Sequence, residues 1–275
     1  MRSARASALL LAALVASCDR TPPPPAAQTS ANSVRIVAND FSFMSPDTVA
    51  AGLTNIVMVN QGKEPHQAAI FRMDSVKTQS EIQAGLHSNI IPSWVIVTGG
   101  PNGANPGDSS NVAAVLQPGN YMMVCFMSGA DGKMHLDKGM AKTFVVKPAG
   151  AAMALPTADI TVTTKDYSFE ISPAITAGTH TIRLVNTGPQ LHEITLVKMA
   201  PGKTMKDAQA WMATGMKGMP PFMSFGGIAG LAVGQAANFT ATFTPGDYVM
   251  LCFVPDTKDG KPHLAHGMVM PFKVS

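Results

Sequence analysis

The sequence predicts an all-β protein built as two tandem β-sandwiches, and three observations predict it. Charged residues make up only 13% of the chain, against 24 Gly and 21 Pro with many Val and Thr, a balance that favours strands and turns over helices. Short apolar stretches recur with turn residues between them, the spacing of a sandwich. The whole pattern then occurs a second time. A length of 275 residues with 46% hydrophobic content is enough for two compact cores.

The strands are expected at Val34–Val37, Thr54–Asn60, Gln67–Phe71, Asn111–Leu116, Tyr121–Phe126 and Thr143–Val146 in the first copy. In the second they are expected at Ile160–Thr164, His180–Asn186, Glu193–Val197, Ala237–Phe243, Tyr248–Phe253 and Met270–Val274. One stretch in each copy breaks the pattern: Ser75–Leu86 and Thr204–Thr214 carry helix-compatible residues and read as a short helix before a loop.

The duplication is legible residue by residue. Asp40-Phe41-Ser42-Phe43, Ala51-Gly52, Asn60-x-Gly62 and His66 match Asp166-Tyr167-Ser168-Phe169, Ala177-Gly178, Asn186-x-Gly188 and His192 at a constant offset of 126. Pro118-Gly119-Asn120-Tyr121 and Cys125 match Pro245-Gly246-Asp247-Tyr248 and Cys252 at 127, and His135 and Met140 match His263 and Met268 at 128. Two single-residue loop insertions account for the drift. The copies are assigned to residues 33–149 and 150–275, with the joint in the small residues of Pro148–Pro156.

Residues 1–17 read as a lipoprotein signal peptide. Arg2 and Arg5 precede an apolar run, Ala6–Ala16, too short to span a bilayer comfortably. Val15-Ala16-Ser17-Cys18 resembles a bacterial lipobox, which implies cleavage before Cys18 and a diacylglyceryl group on its sulfur; an ordinary secretory signal or an uncleaved anchor is the alternative. Residues 18–32, with Pro22–Pro25, read as an extended tether. The expected location is periplasmic or otherwise extracytoplasmic, held at the membrane through Cys18.

Charge points to no polyanionic partner. Without Arg2 and Arg5 the chain carries 18 basic against 17 acidic residues, and no basic stripe with interleaved aromatics appears, so nucleic acid is not expected. Apart from Cys18, the chain has two cysteines, Cys125 and Cys252. Outside the cytoplasm a pair would ordinarily bridge. Placed at equivalent points of two separate sandwiches they are too far apart to do so, and metal binding is the leading reason for keeping both as thiols.

Each copy holds one Cys, two His and one Met in the same order: His66, Cys125, His135, Met140, then His192, Cys252, His263, Met268. A thiolate, two imidazoles and a weak axial thioether form the trigonal set that suits copper in electron transfer. Taken singly, each has a plainer reading. A Cys in an apolar strand is a small buried hydrophobe, and a Met among 19 is core packing.

With a first His after an Asn-x-Gly turn, then Tyr-x-x-x-Cys, then His-x4-Met with Gly139 or Gly267 before the Met, each half resembles a cupredoxin. That family is a Greek-key β-sandwich carrying type 1 (blue) copper. The long Cys-to-His loops, Cys125-x9-His135 and Cys252-x10-His263, are similar to the type 1 loop of two-domain copper nitrite reductases. The resemblance implies the eight residues above as ligands to one or two copper ions, and an electron carrier whose redox partner the sequence does not identify. A copper carrier or storage module and a metal-free interaction domain are the alternatives.

The same residues lead to the expectation that the chain is not an enzyme. Val124, Phe126, Leu251 and Phe253 flank the cysteines where a family enzyme would place a His, no His-x-His pair is present, and His87, His180 and His266 are scattered and read as surface residues. Outer-sphere transfer would then run through an exposed imidazole edge. The run Trp211-Met212 to Phe222-Met223 reads either as adaptable filling under a loop or as a soft thioether patch.

Overall fold

The structure, a computed structural model of the chain, describes residues 31–87, 91–149, 154–214 and 218–275. The segment read as a signal peptide, Cys18, nearly all of the stretch read as a tether, the middle of the joint and Met216 lie outside the described residues.

The first half runs β1 (Asn32–Asn39), β2 (Ser42–Met44), β3 (Thr48–Ala50), β4 (Gly52–Asn60), β5 (Ala69–Met73), α1 (Gln79–Leu86), β6 (Val95–Val97), β7 (Ser109–Leu116), β8 (Gly119–Val124) and β9 (Ala141–Lys147). The second runs β10 (Ile160–Lys165), β11 (Ser168–Ser172), β12 (Gly178–Asn186), β13 (His192–Met199), α2 (Met205–Ala213), β14 (Phe222–Leu231), β15 (Ala236–Phe243), β16 (Gly246–Leu251) and β17 (Val269–Val274). The protein is all-β with one short helix in each half. The strands that sequence patterning missed are short (β2, β3, β6, β11) or Gly-rich (β14), where alternation is weak.

Alternation decides what is buried. In β1, Val34, Ile36 and Ala38 face inward while their neighbours do not, the period-two pattern of a sheet covered on one side. The sheet order is β11-β10-β12-β15-β7-β4-β1-β2 for the large sheet, with β3-β9-β8-β5-β6 and β14-β13-β16-β17 as the small ones. Each half thus packs its part of a shared eight-stranded sheet against its own smaller sheet, as in a β-sandwich. Thr78 starts α1 in a capping box, its N–H reaching Glu81 Oε2 at 2.7 Å while its hydroxyl accepts from Glu81 N–H at 3.3 Å.

The halves meet edge to edge at β7 and β15. One backbone pair, Ala113 with Asn238, is extended by the Asn111 side chain, which donates to Thr240 O at 2.8 Å and accepts from Thr240 N–H at 2.9 Å. A second seam is the segment 99–104. Its backbone pairs with the first half at His66 and Ala68 and with the second at Gly227 and Ala229. Asn102, fully buried, donates to Ile194 O and Thr195 Oγ1, both at 3.0 Å. One continuous core cluster therefore includes residues of both halves. Among the described residues no helix is long and apolar enough to cross a membrane.

Candidate metal centres

Three local devices bring the chemistry-bearing residues together, and each occurs twice. The first is the Asn-x-Gly turn. Asn60 Oδ1 accepts from Gly62 N–H at 2.8 Å while its Nδ2 donates to Glu64 O and Ala104 O. Asn186 does the same with Gly188, Gln190 and Leu231. This Asx turn delivers His66 and His192 at the sandwich rim. The glycines are required because a Cβ at Gly62 would lie 2.3 Å from Asp40 Oδ1 and 2.6 Å from His66 Nε2, and one at Gly188 would lie 2.7 Å from His192 Nε2.

The second device is a tyrosine corner. Tyr121 and Tyr248, fully buried, donate to Gln117 O at 2.8 Å and Thr244 O at 2.9 Å, four residues upstream. They fix β8 and β16, which end at Val124 and Leu251, immediately before the cysteines. The third is the closing loop. Cys125 N–H donates to Met140 O, Leu136 N–H to Cys125 O and Met140 N–H to His135 O; Cys252, Leu264, Met268 and His263 repeat all three bonds. Gly139 and Gly267 supply the positive φ, 95° and 97°, that turns the chain before each Met.

In the first half, His66 Nδ1 and His135 Nδ1 stand 3.0 Å apart, with Cys125 Sγ at 3.9 and 3.4 Å from them. In the second, His192 Nδ1 and His263 Nδ1 are 3.1 Å apart, with Cys252 Sγ at 4.0 and 3.5 Å. Met140 and Met268 are fully buried in the same core cluster as the two cysteines. Both cysteines are free and buried.

The outer nitrogens explain why the inner ones face the sulfur. His66 Nε2 lies 2.8 Å from Asp40 Oδ1, His192 Nε2 2.9 Å from Asp166 Oδ1 and His135 Nε2 2.8 Å from Glu64 Oε2. A carboxylate there accepts the ring N–H, which assigns the lone pair to Nδ1. Two lone pairs 3.0 Å apart beside a sulfur repel unless a cation lies between them. The donor set is soft to borderline throughout, and these residues fit copper.

Burial opposes charge on every group except through a bound ion. It pushes the Cys125 thiol up to about 12 and the Cys252 thiol well above its ordinary value. It lowers His66, His135 and His192 despite their carboxylate partners, and His263 to about 4. A metal cation reverses this for the thiol, because a coordinating thiol is deprotonated outright.

The expectation of an exposed imidazole edge is overturned. All four imidazoles are fully buried. Phe41 packs edge-on over His135 at 5.0 Å between ring centroids, and Tyr167 covers His263 in the same way at 5.3 Å. Lys138 Nζ caps Phe41 at 4.2 Å, and its repeat partner His266 lies against Tyr167 at 4.9 Å. His266 is an exposed surface residue, as expected, and also forms the outer part of the second lid. His87, paired with Asp137, is a surface residue, as expected. In the Met-rich run, Met219 and Met223 are 92% and 51% exposed, so filling under a loop does not describe them.

Sequence reasoning missed Asp40, Glu64 and Asp166 as partners of the ligand imidazoles, and Phe41 and Tyr167 as lids. The signal was present: Asp40-Phe41 and Asp166-Tyr167 keep the same 126-residue offset as His66 and His192. Both Asp–aromatic peptide bonds are cis.

No protein-family model matches the chain, and no curated protein matches it. Among solved structures the chain is similar to dithionite-reduced auracyanin from Roseiflexus castenholzii, at 22% identity and TM-score 0.30 over 42% of this chain and 94% of that one. It is similar to the copper-containing nitrite reductase of Thermus scotoductus, at 12% identity and TM-score 0.24 over 88% of this chain and 61% of that one. A third likeness is the blue copper oxidase of Nitrosomonas europaea, at 13% identity and TM-score 0.24 over 90% of this chain and 86% of that one. The structure thus has a cupredoxin-like fold of β-sandwich halves, each with one buried His–Cys–His group that could hold a metal ion.

These likenesses correct the expectation that the chain is not an enzyme, since they include a nitrite reductase and an oxidase. The physical reason is that a missing His beside Cys125 or Cys252 removes one electron relay; it does not exclude catalysis from the fold.

Proposed function

We propose that each half binds one copper ion, through His66, Cys125, His135 and Met140 and through His192, Cys252, His263 and Met268, and that the chain passes single electrons. The observation that carries this reading is the convergence, twice, of two Nδ1 atoms and one Sγ within 4.8 Å of one another, with the outer nitrogens of His66, His135 and His192 held by carboxylates. Copper, when bound, supplies a one-electron couple that thiolate and imidazole donors tolerate in both oxidation states. The protein's part is to hold those donors rigidly and to exclude water. The Asx turns and tyrosine corners fix the donors, and Phe41 and Tyr167 seal the rims. We also place the protein outside the cytoplasmic membrane, tethered by a lipid on Cys18, with a redox protein as its partner.

The test is to add Cu(II) to the purified chain and record its visible spectrum and cyclic voltammogram. An intense thiolate-to-copper band with a reversible wave is expected, reduced in Cys125→Ser and in Cys252→Ser and absent in the double variant. Copper uptake without a reversible wave would favour a carrier or store over an electron-transfer protein.

A further inference from the structure

The two pockets differ at the repeat-equivalent positions two residues before the first His. Glu64 stands in the first half and Gln190 in the second. We infer that this exchange makes the pockets unequal, the first holding oxidised copper more firmly, so that an electron shared by the loaded chain settles in the second half. The inference rests on the reading that both pockets bind copper.

In the first pocket both imidazoles donate to carboxylates, His66 to Asp40 and His135 to Glu64, each at 2.8 Å. In the second only His192 does, to Asp166 at 2.9 Å. Gln190 turns away from His263. Its Nε2 donates to Asp166 Oδ2 at 3.0 Å and Asp256 Oδ2 at 2.9 Å, and its Oε1 accepts from the Thr257 N–H and hydroxyl, both at 2.8 Å.

His263 Nε2 is left buried without a hydrogen-bond partner. The nearest carboxylate oxygen recorded there, Asp256 Oδ2, is 3.9 Å away, beyond hydrogen-bond reach, and already accepts from Tyr167 and Gln190. Glu193, the other carboxylate beside this pocket, accepts from Phe253 N–H at 2.8 Å and the Thr195 hydroxyl at 3.2 Å, which leaves the imidazoles to Asp166 alone. In the first half the equivalent of Glu193 is Gln67, whose backbone N–H donates to Cys125 Sγ at 3.5 Å.

A carboxylate that accepts the outer N–H of a metal-bound imidazole makes that ring a stronger base. A stronger base favours the more highly charged ion, Cu(II). With copper held in both pockets, the step would be a plain electron shift from Cu(I) in the first pocket to Cu(II) in the second, with no bond or proton moved. The residue that sets the direction is Glu64, acting through His135.

The test is a redox titration of the copper-loaded, full-length chain followed by absorption. Two one-electron steps are expected, separated by at least tenfold in preference, about 59 mV for a one-electron couple. Cys252→Ser, which keeps the first pocket, should retain the lower step, and Cys125→Ser the higher. Glu64→Gln, the same size and placed at the rim, should raise the lower step by about the same amount and leave the other in place.

If a cysteine variant does not fold, the Glu64→Gln shift in the intact chain decides. Coincident steps, reversed order or an unmoved lower step in Glu64→Gln would overturn the inference while two bound coppers upheld the reading beneath it. A chain that takes up no copper ends both. The reciprocal Gln190→Glu change is not informative, because it would set a third carboxylate against Asp166 and Asp256.

Discussion

Asp166 holds His192 by its outer nitrogen, Oδ1 to Nε2 at 2.9 Å, and in doing so aims Nδ1 at Cys252. Asp40 and His66 stand in the same relation 126 residues earlier, at 2.8 Å. Replacing the carboxylate by an amide keeps the shape and removes the preferred acceptor. Asp166→Asn is expected to weaken copper binding in the second half by about 10–100-fold, read by competition with a chelator, while the first half keeps its affinity. Unchanged affinity would show that packing alone orients the ring.

Close approach at Gly62 gives a sharper, local prediction. An alanine Cβ there would meet Asp40 Oδ1 at 2.3 Å and His66 Nε2 at 2.6 Å, so the pair must separate. Gly62→Ala should empty or distort the first pocket and leave the spectrum of the second, which separate loading of Cys125→Ser and Cys252→Ser would calibrate.

The seam between halves predicts a stability effect with no metal involved. Asn102→Ala leaves Ile194 O, Thr195 Oγ1 and Gly103 N–H without the partner that Asn102 provides. An unsatisfied buried group costs about 1–3 kcal/mol, so urea unfolding of the metal-free chain should shift by about 2–3 kcal/mol. A shift under about 0.5 kcal/mol, the ordinary range for surface changes, would show the bridge to be idle.

Acid should destabilise the metal-free protein. Burial holds all four imidazoles below the ordinary 6.5, with His263 at about 4, so below 6.5 the unfolded chain binds more protons than the folded one. Their contribution is fully present above pH 6.5 and is lost as pH falls toward 4. Glu193, raised by burial to about 7 from an ordinary 4.5, has the opposite sign: its contribution is present below 4.5 and is lost as pH rises through 7. Melting temperatures from pH 8 to 4 should therefore fall on the acid side, and more steeply in Glu193→Gln. A flat profile in both proteins would contradict the burial argument.

Much of this was legible in the sequence because a repeat compares a chain with itself. Strand positions, both helices, and the order His, Cys, His, Met could be read from spacing, since each depends on local pattern or on fixed loop length. What escaped were contacts between distant segments. Glu64 reaches His135 across 71 residues and Tyr167 reaches Asp256 across 89, and no local pattern marks such pairs. Asp40 and Asp166 were halfway legible, kept at the offset of the histidines they hold, yet with nothing in their neighbours to say what they touch. The seal over the imidazoles was invisible for a related reason: Phe41 and Tyr167 look like ordinary strand-end aromatics until the sandwich folds them over the rim.

Elemental analysis of the purified chain after copper loading and desalting tests the central claim most directly. Two coppers per chain are expected, falling to one in Cys125→Ser, one in Cys252→Ser and none in the double variant. Copper at background level in the unsubstituted chain, or a count that the cysteine changes leave untouched, would contradict it.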